Sequence, residues 1–209
     1  MEGGGESSDF QLSDIGDYKD IDDLYTIGSS SIFTLLLFTI ATRLGNFGGL
    51  TLNTYFDMFG MEGVLSNTMM LILILQTTRY LYTSYYSSYG KSWSPFVFLC
   101  IILTIQAIYN AILYFGVINV LPSGKNDMID ILKKYIKENT TSVIIGQSVL
   151  LLFTAVVAMI MKDMGTIQLF VITSLVLYTF PFILAFVSKK PLPPPPPPKK
   201  EALQDYRGY

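Results

Sequence analysis

Charged residues are absent from three stretches of this 209-residue chain, each longer than 20 residues. A helix rises about 1.5 Å per residue and the hydrocarbon core of a bilayer is about 30 Å thick, so one crossing needs about 20 apolar residues. Each stretch meets that length. The pattern therefore predicts three transmembrane helices, whose apolar cores are residues 95–121, 143–161 and 166–187.

Two further segments predict spans less strongly. Residues 64–82 are apolar but include Arg79, whose long side chain is expected to snorkel to the lipid headgroups. Residues 32–52 begin with an apolar run and then contain Arg43 and several glycines. They either cross the membrane or form a re-entrant segment, an interfacial segment or a buried helix. Five spans and four spans therefore both stay open.

The overall composition favours a membrane protein. Hydrophobic residues make up 51% of the chain and charged residues 14%, whereas a typical soluble domain has about 25% charged residues. The chain has no histidine and a single cysteine, Cys100, which excludes an intrachain disulfide, a Ser-His-Asp triad and zinc or haem ligation by histidine. The predicted fold is all-α: a polytopic transmembrane helical bundle of four or five spans over residues 31–188, with an interfacial amphipathic helix and extended tails.

Both tails differ in composition from this helical domain. Residues 1–30 are acidic and contain glycine and serine, which is typical of a solvated tail or of a strip that docks a basic partner. Residues 189–209 contain six consecutive prolines, which favour an extended polyproline II strut. Such a strut is either a spacer or a ligand for an aromatic groove on another protein. The candidate docking residues in this tail are Pro191, Pro193, Pro198, Tyr206, Arg207 and Tyr209.

Two groups of residues are expected at the membrane interface. The first is an aromatic belt at the end of the second predicted span and in the loop after it, with Tyr80, Tyr82, Tyr85 and Trp93, because tyrosine and tryptophan prefer headgroup depth. The second is residues 127–138, where apolar residues at helical spacing alternate with Lys133, Lys134 and Lys137. This pattern predicts an amphipathic helix that ends near Asn139 and lies flat in the interface, or that packs on another subunit. With five spans, the positive-inside rule places this helix and the C-terminal tail on the cytosolic face.

Few polar groups interrupt the predicted spans. Gln106, Asn110 and Gln147 carry amides, which are expected to form hydrogen bonds between helices rather than a transport site. Arg43 is the one charge that could lie deep, where it would pair with Asp57 or Glu62 or mark a helix end. Gly45 and Gly49 match G-x-x-x-G, which indicates either close helix packing or a bend.

One part of the chain resembles a known group of proteins. Residues 121–152 read LPSGKNDMIDILKKYIKENTTSVIIGQSVLLL. The Ser-Gly-Lys-Asn turn, the Met-Ile-Asp helix start and the Ile-Ile-Gly opening of the next span resemble small multi-pass membrane proteins of nucleocytoplasmic large DNA viruses. The resemblance covers about residues 110–187, and the run KKPLPPPPPPKK is similar to tails of algal-virus virion proteins. It implies an integral protein of the host ER-derived internal virion membrane, beneath an icosahedral capsid.

The expected function is structural rather than catalytic. The chain has no phosphate-binding loop, dinucleotide fingerprint or paired metal ligands, so we expect no enzyme activity, no cofactor, no metal and no nucleic-acid binding. We expect a scaffold that joins a bilayer to a protein shell, with both tails contacting other structural proteins of the assembly. The alternatives are an accessory, non-catalytic subunit of a large membrane complex such as a protist respiratory assembly, and a small channel or transporter.

Overall fold

A computed structural model describes residues 12–45 and 47–186 of the chain. These residues form helices and no strands, which confirms the all-α prediction for the part described. The five main helices, each long and apolar enough to cross a membrane, are α1 Asp22–Gly45, α2 Gly49–Leu81, α3 Pro95–Leu113, α4 Asp127–Met161 and α5 Thr166–Leu184. Single π-helical turns follow α2 at Tyr82–Tyr86 and α3 at Tyr114–Ile118, and a 3₁₀ turn lies at Ser87–Tyr89.

Successive helices run in opposite directions, so the loops collect at two ends of the bundle. Residues 12–21, 87–94 and 162–165 lie at one end, which we call the strap end. Residues 47–48, 119–126 and 185–186 lie at the other, which we call the tail end because the C-terminal tail follows it. α3 begins at the predicted Pro95, whose missing N–H is not needed there, and Ser94 caps it by accepting a hydrogen bond from the Val97 N–H at 3.4 Å.

α1 occupies the centre of the bundle and packs against α2, α4 and α5. Half of the residues in its most apolar stretch are buried, compared with 17–33% in the other four helices. Small hydroxyl residues let the neighbouring helices approach closely. Ser29 accepts a hydrogen bond from the Thr173 hydroxyl of α5 at 2.8 Å, and Thr39 and Thr42 bond to carbonyls of their own helix. The innermost helix is therefore the one whose span the sequence predicted least strongly.

The first predicted span, residues 32–52, does not match a helix of the structure. α1 begins ten residues earlier, at Asp22, within the segment predicted to be an acidic tail, and it ends at Gly45. Gly48 and Gly49 have φ values of 81° and 73°, a left-handed conformation that glycine adopts at low cost. The Gly45–Gly49 spacing thus marks a bend, which is the second of the two predicted alternatives.

α2 is interrupted near its beginning. Gly60 has φ 47° and ψ −123°, which breaks the helix between residues 49–59 and residues 61–81. The phenol of Tyr55 crosses the break and donates to the Gly63 carbonyl at 3.3 Å. Residues 49–59 thus form a short arm at the tail end, and the predicted span 64–82 belongs to the longer second part of α2.

α4 is one continuous helix of 35 residues. The sequence analysis separated an amphipathic helix at 127–138 from a span at 143–161 and expected a stop at Asn139. That stop is wrong, because α4 continues through Asn139 to Met161. The side-chain amide of Asn139 donates to the Tyr135 carbonyl within the helix. Asn126 caps the start instead, accepting a hydrogen bond from the Ile129 N–H at 3.0 Å.

Candidate functional site

A short N-terminal segment, residues 12–21, is held across the end of the bundle, and we call it the strap. Arg79 of α2 lies beneath it with no exposed surface. Its guanidinium donates to the carbonyls of Ile15 at 2.8 Å and Asp20 at 2.9 Å, and also to that of Asp17. It further contacts the Asp23 carboxylate at 3.0 Å. One side chain therefore fixes three backbone positions of the strap.

A charged cluster lies under the strap and consists of Asp20, Asp23, Arg79 and Lys162. Lys162, between α4 and α5, is its second cation. Its ammonium lies 3.1 Å from the carboxylate of Asp23 and 3.5 Å from that of Asp20, and it donates to the Asp14 carbonyl. Asp23 is only 2% exposed, and it is charge-compensated because two cations face it. The cluster joins the strap, α1, α2 and the α4–α5 loop.

Aromatic residues form the floor under the strap. The indole of Trp93 donates to the Leu12 carbonyl at 3.0 Å, and its ring centre lies 5.2 Å from that of Tyr82. Gly16 rests on both rings: a Cβ at this position would lie 2.7 Å from Tyr82 and 2.8 Å from Trp93. Thr83 donates to the Gly16 carbonyl at 2.7 Å. The strap is thus seated by close contact as well as by charge.

The structure changes the expected role of several residues at this end. Arg79 does not snorkel to the headgroups, because the strap supplies carbonyls and a carboxylate that satisfy it inside the protein. Tyr82 is 3% exposed and packs in the core, and its hydroxyl accepts a hydrogen bond from the Ser94 N–H at 2.9 Å. Trp93 is half-buried against the strap. Tyr80 and Tyr85 are exposed, in agreement with a position on the outer surface.

A second buried arginine holds the tail end together. Arg43, at the end of α1, lies 2.5 Å from the carboxylate of Asp57, which settles the choice between Asp57 and Glu62. Its guanidinium also donates to the Leu184 carbonyl at 3.3 Å. That carbonyl lies in the last turn of α5, where carbonyls lack partners within the helix. Arg43 therefore links α1, the short arm of α2 and the end of α5.

The lysine-rich part of α4 packs against the bundle on its apolar side. Met128, Ile131 and Tyr135 contact the apolar cluster that α1, α2 and α5 form at the tail end, and burial raises the pKa of the Tyr135 phenol. Lys133 donates to the Leu121 carbonyl, and Lys134 is 3.9 Å from Glu138. This segment is thus partly covered by its own chain, rather than by lipid alone or by another subunit.

The three amides expected between helices come together between α2, α3 and α4. Gln106, Asn110 and Gln147 line one small gap. Gln106 is 3% exposed, and neither atom of its amide has a hydrogen-bond partner among the residues that the structure describes. Asn110 and Gln147 also line a cavity of about 700 Å³, which opens beside them and extends toward the tail end. The sequence analysis did not foresee this cavity.

Over residues 12–45 and 47–186, no group of three or more His, Cys, Asp or Glu residues could hold a metal ion. Pro191, Pro193, Pro198, Tyr206, Arg207 and Tyr209, the docking candidates of the C-terminal tail, lie outside the described residues. The charged cluster depends on Asp23 and Lys162, which the sequence analysis did not single out. A signal was present, since Arg79 needs a buried anion once it lies inside a span.

The comparisons with known proteins leave the resemblance to large-DNA-virus membrane proteins as a prediction. Family models, curated proteins and solved structures gave no match to this chain.

Proposed function

We propose that this chain is a non-catalytic structural membrane protein that crosses a bilayer five times and links it to a protein assembly. The observation that carries the proposal is the clamping of the strap by Arg79 and Lys162. Buried ion pairs add little to stability compared with apolar packing. Their effect here is to place the strap at a fixed position over the bundle end, as a docking element requires.

Membrane insertion is supported by the outer surface of the bundle. Large apolar side chains are exposed along α3 and α5, and exposed apolar surface of this extent is typical of contact with lipid. On α3 they include Phe96, Ile108 and Ile112, and on α5 Ile167, Phe170 and Leu175. The five helices also have the length and hydropathy of spans.

The strap supports a contact with another protein. Asp14, Asp17 and Asp22 are exposed around the buried cluster, so their carboxylates are presented on a fixed backbone at the strap end. A basic partner should bind a fixed acidic surface more tightly than a solvated acidic tail, because less conformational entropy is lost on binding. We propose that the strap contacts one protein and the polyproline tail another, on opposite sides of the membrane.

The assembly that we propose is the virion of a large DNA virus, with the chain in the internal membrane beneath the capsid. This choice rests on the sequence resemblance at residues 110–187. Mass spectrometry of purified virions and of mitochondrial membranes from the source cells tests it. We expect the protein in virions, and its recovery in a mitochondrial complex would contradict the proposal and favour an accessory respiratory subunit.

The topology gives a first prediction. Single cysteines at Lys134 and Lys199, in a Cys100→Ser background, should react with a membrane-impermeant maleimide from the same side, because α4 and α5 separate them. A cysteine at Lys91, in the loop between α2 and α3, should react from the opposite side. Opposite accessibility of Lys134 and Lys199 would mean that α4 and α5 do not both span.

The tail gives a second prediction. Deleting residues 191–209 should leave membrane insertion intact but reduce co-purification with the assembly by about tenfold, since one of two linked contacts is lost. Replacing Pro191–Pro198 with a Gly/Ser linker of equal residue number is the matched control, because it keeps the residues that follow the prolines and removes the rigidity. Incorporation of the truncated protein at the normal level would exclude the tail as a docking element.

A further inference from the structure

The cavity beside Asn110 and Gln147 has the dimensions of an elongated groove. Along α4 its lining runs from Ile131 to Leu150, which is about 28 Å at the helical rise. Its volume of about 700 Å³ lies within the roughly 300–1,000 Å³ of pockets that bind small organic molecules. The groove is therefore long enough and large enough for one extended hydrocarbon chain.

Small residues of α3 and α4 contribute to the lining of the groove. They are Ala107 and Ala111 of α3 and Ser142 and Gly146 of α4. A Cβ added at Gly146 would meet nothing within 4 Å, so the backbone of α4 is bare on this side. An apolar gap of this kind stays dry in water and takes up apolar molecules. In a bilayer, the molecules at hand are the lipid chains.

The depth of the groove fits one leaflet. From Asn139 to Leu150 the lining descends about 16 Å along α4, close to the roughly 15 Å from the edge of the hydrocarbon core to its midplane. The inner end is marked by the amides of Asn110 and Gln147. The outer part, between Ile131 and Asn139, lies at headgroup level, just before the most apolar stretch of α4 begins at Ser142.

The charges at the outer end favour an anionic headgroup. Lys137 is adjacent to the lining residue Ile136, and Lys125 lies in the loop before α4. Both are exposed, and neither forms an ion pair within residues 12–45 and 47–186. Two nearby acids are engaged elsewhere: Asp130 accepts from the Gly124 N–H, and Glu138 accepts from Thr51 and faces Lys134. A third, Asp127, is exposed at the start of α4.

We propose that this groove is a binding site for an anionic glycerophospholipid of the tail-end leaflet, with one acyl chain along Gly146 and the phosphate beside Lys125 and Lys137. The inference rests on the proposed membrane insertion and adds a specific lipid contact to it. The lipid replaces side chains that α3 and α4 lack, so it acts as part of the packing between these helices.

The experiment uses the full chain, reconstituted in phosphatidylcholine vesicles that contain a tenth of phosphatidylglycerol and then extracted in mild detergent for native mass spectrometry. We expect one phosphatidylglycerol per chain. Gly146→Leu should lower its retention by about tenfold, because the leucine side chain fills the groove, and Ala111→Leu should do the same from the opposite wall. Gly28→Leu is the matched control, since Gly28 also has open space at Cβ but does not line the groove. Lys125→Gln with Lys137→Gln should remove the preference over phosphatidylcholine.

Several outcomes would overturn the lipid site. The first is equal lipid retention by the wild type, Gly146→Leu and Ala111→Leu. The second is equal retention of both phospholipids by the wild type. The third is a dimer that is lost in Gly146→Leu, which would identify a second copy as the occupant. Resistance to alkaline extraction is measured in parallel for every variant. Extraction of the wild type from membranes would contradict the proposed function itself, whereas loss of lipid selectivity with insertion intact contradicts the lipid site alone.

Discussion

Replacing Arg79 with methionine should release the strap and lower the free energy of unfolding by about 3–5 kcal/mol, the usual cost of breaking a buried ion pair from one side. Methionine keeps the apolar volume of the arginine stem but donates no hydrogen bond. The carbonyls of Ile15 and Asp20 would lose their partner, and Asp23 would keep only Lys162. Unpaired groups at a buried site are costly, so the strap should leave it.

Two measurements on the purified protein in detergent check this prediction. Unfolding by a denaturing detergent gives the stability change, and limited trypsin digestion after Lys19 reports release of the strap. Arg43→Met is the matched control at the other end: because its partner Asp57 is 48% exposed, we expect a loss of only about 1–2 kcal/mol and no gain in cleavage after Lys19. Equal trypsin resistance of the wild type and Arg79→Met would show that Arg79 does not hold the strap.

The sequence predicted the outer helices better than the central one. α3, α5 and the second half of α4 lie at the periphery of the bundle. Helices in this position need continuous apolar residues to cross a membrane, and a hydropathy pattern detects such residues. α1 is surrounded by protein, and its Ser29, Thr39 and Thr42 satisfy their hydroxyls within the bundle. Such a helix is less apolar than α3, α4 and α5. This lower hydropathy, together with Arg43 and the glycines that follow it, made the 32–52 prediction weak.

The contacts between distant residues could not be predicted from spacing. Arg79 and Asp23 are 56 positions apart, and their pairing depends on how α1 packs against α2. A local rule placed Arg79 at the headgroups because the sequence does not show that the strap folds back over it. By contrast, the Arg43–Asp57 pair joins residues 14 apart across a glycine turn, and it was among the predicted alternatives.

Gly16 should tolerate no side chain, and Gly16→Ala should lower the free energy of unfolding by about 1–3 kcal/mol, as overpacking does in well-packed cores. The added Cβ would lie 2.7 Å from the Tyr82 ring and 2.8 Å from the Trp93 ring. Neither ring can move freely. The Tyr82 hydroxyl is bonded to the Ser94 backbone, and the Trp93 indole is bonded to the Leu12 carbonyl of the strap. The close contact of the added Cβ with the two rings is therefore relieved only if the strap moves away from the bundle.

The same substitution at Gly28 should change the free energy of unfolding in the opposite direction. Gly28 lies within α1 with nothing within 4 Å of its Cβ position, so Gly28→Ala should raise stability by about 0.5–1 kcal/mol through helix propensity. Both variants are compared by denaturation in the same detergent, and trypsin cleavage after Lys19 should increase for Gly16→Ala only. A shift of equal sign at both glycines would show that the close approach at Gly16 is not what seats the strap. We expect Gly16→Ala and Arg79→Met to expose the same bond to trypsin, because close contact and charge are both needed to keep the strap in place.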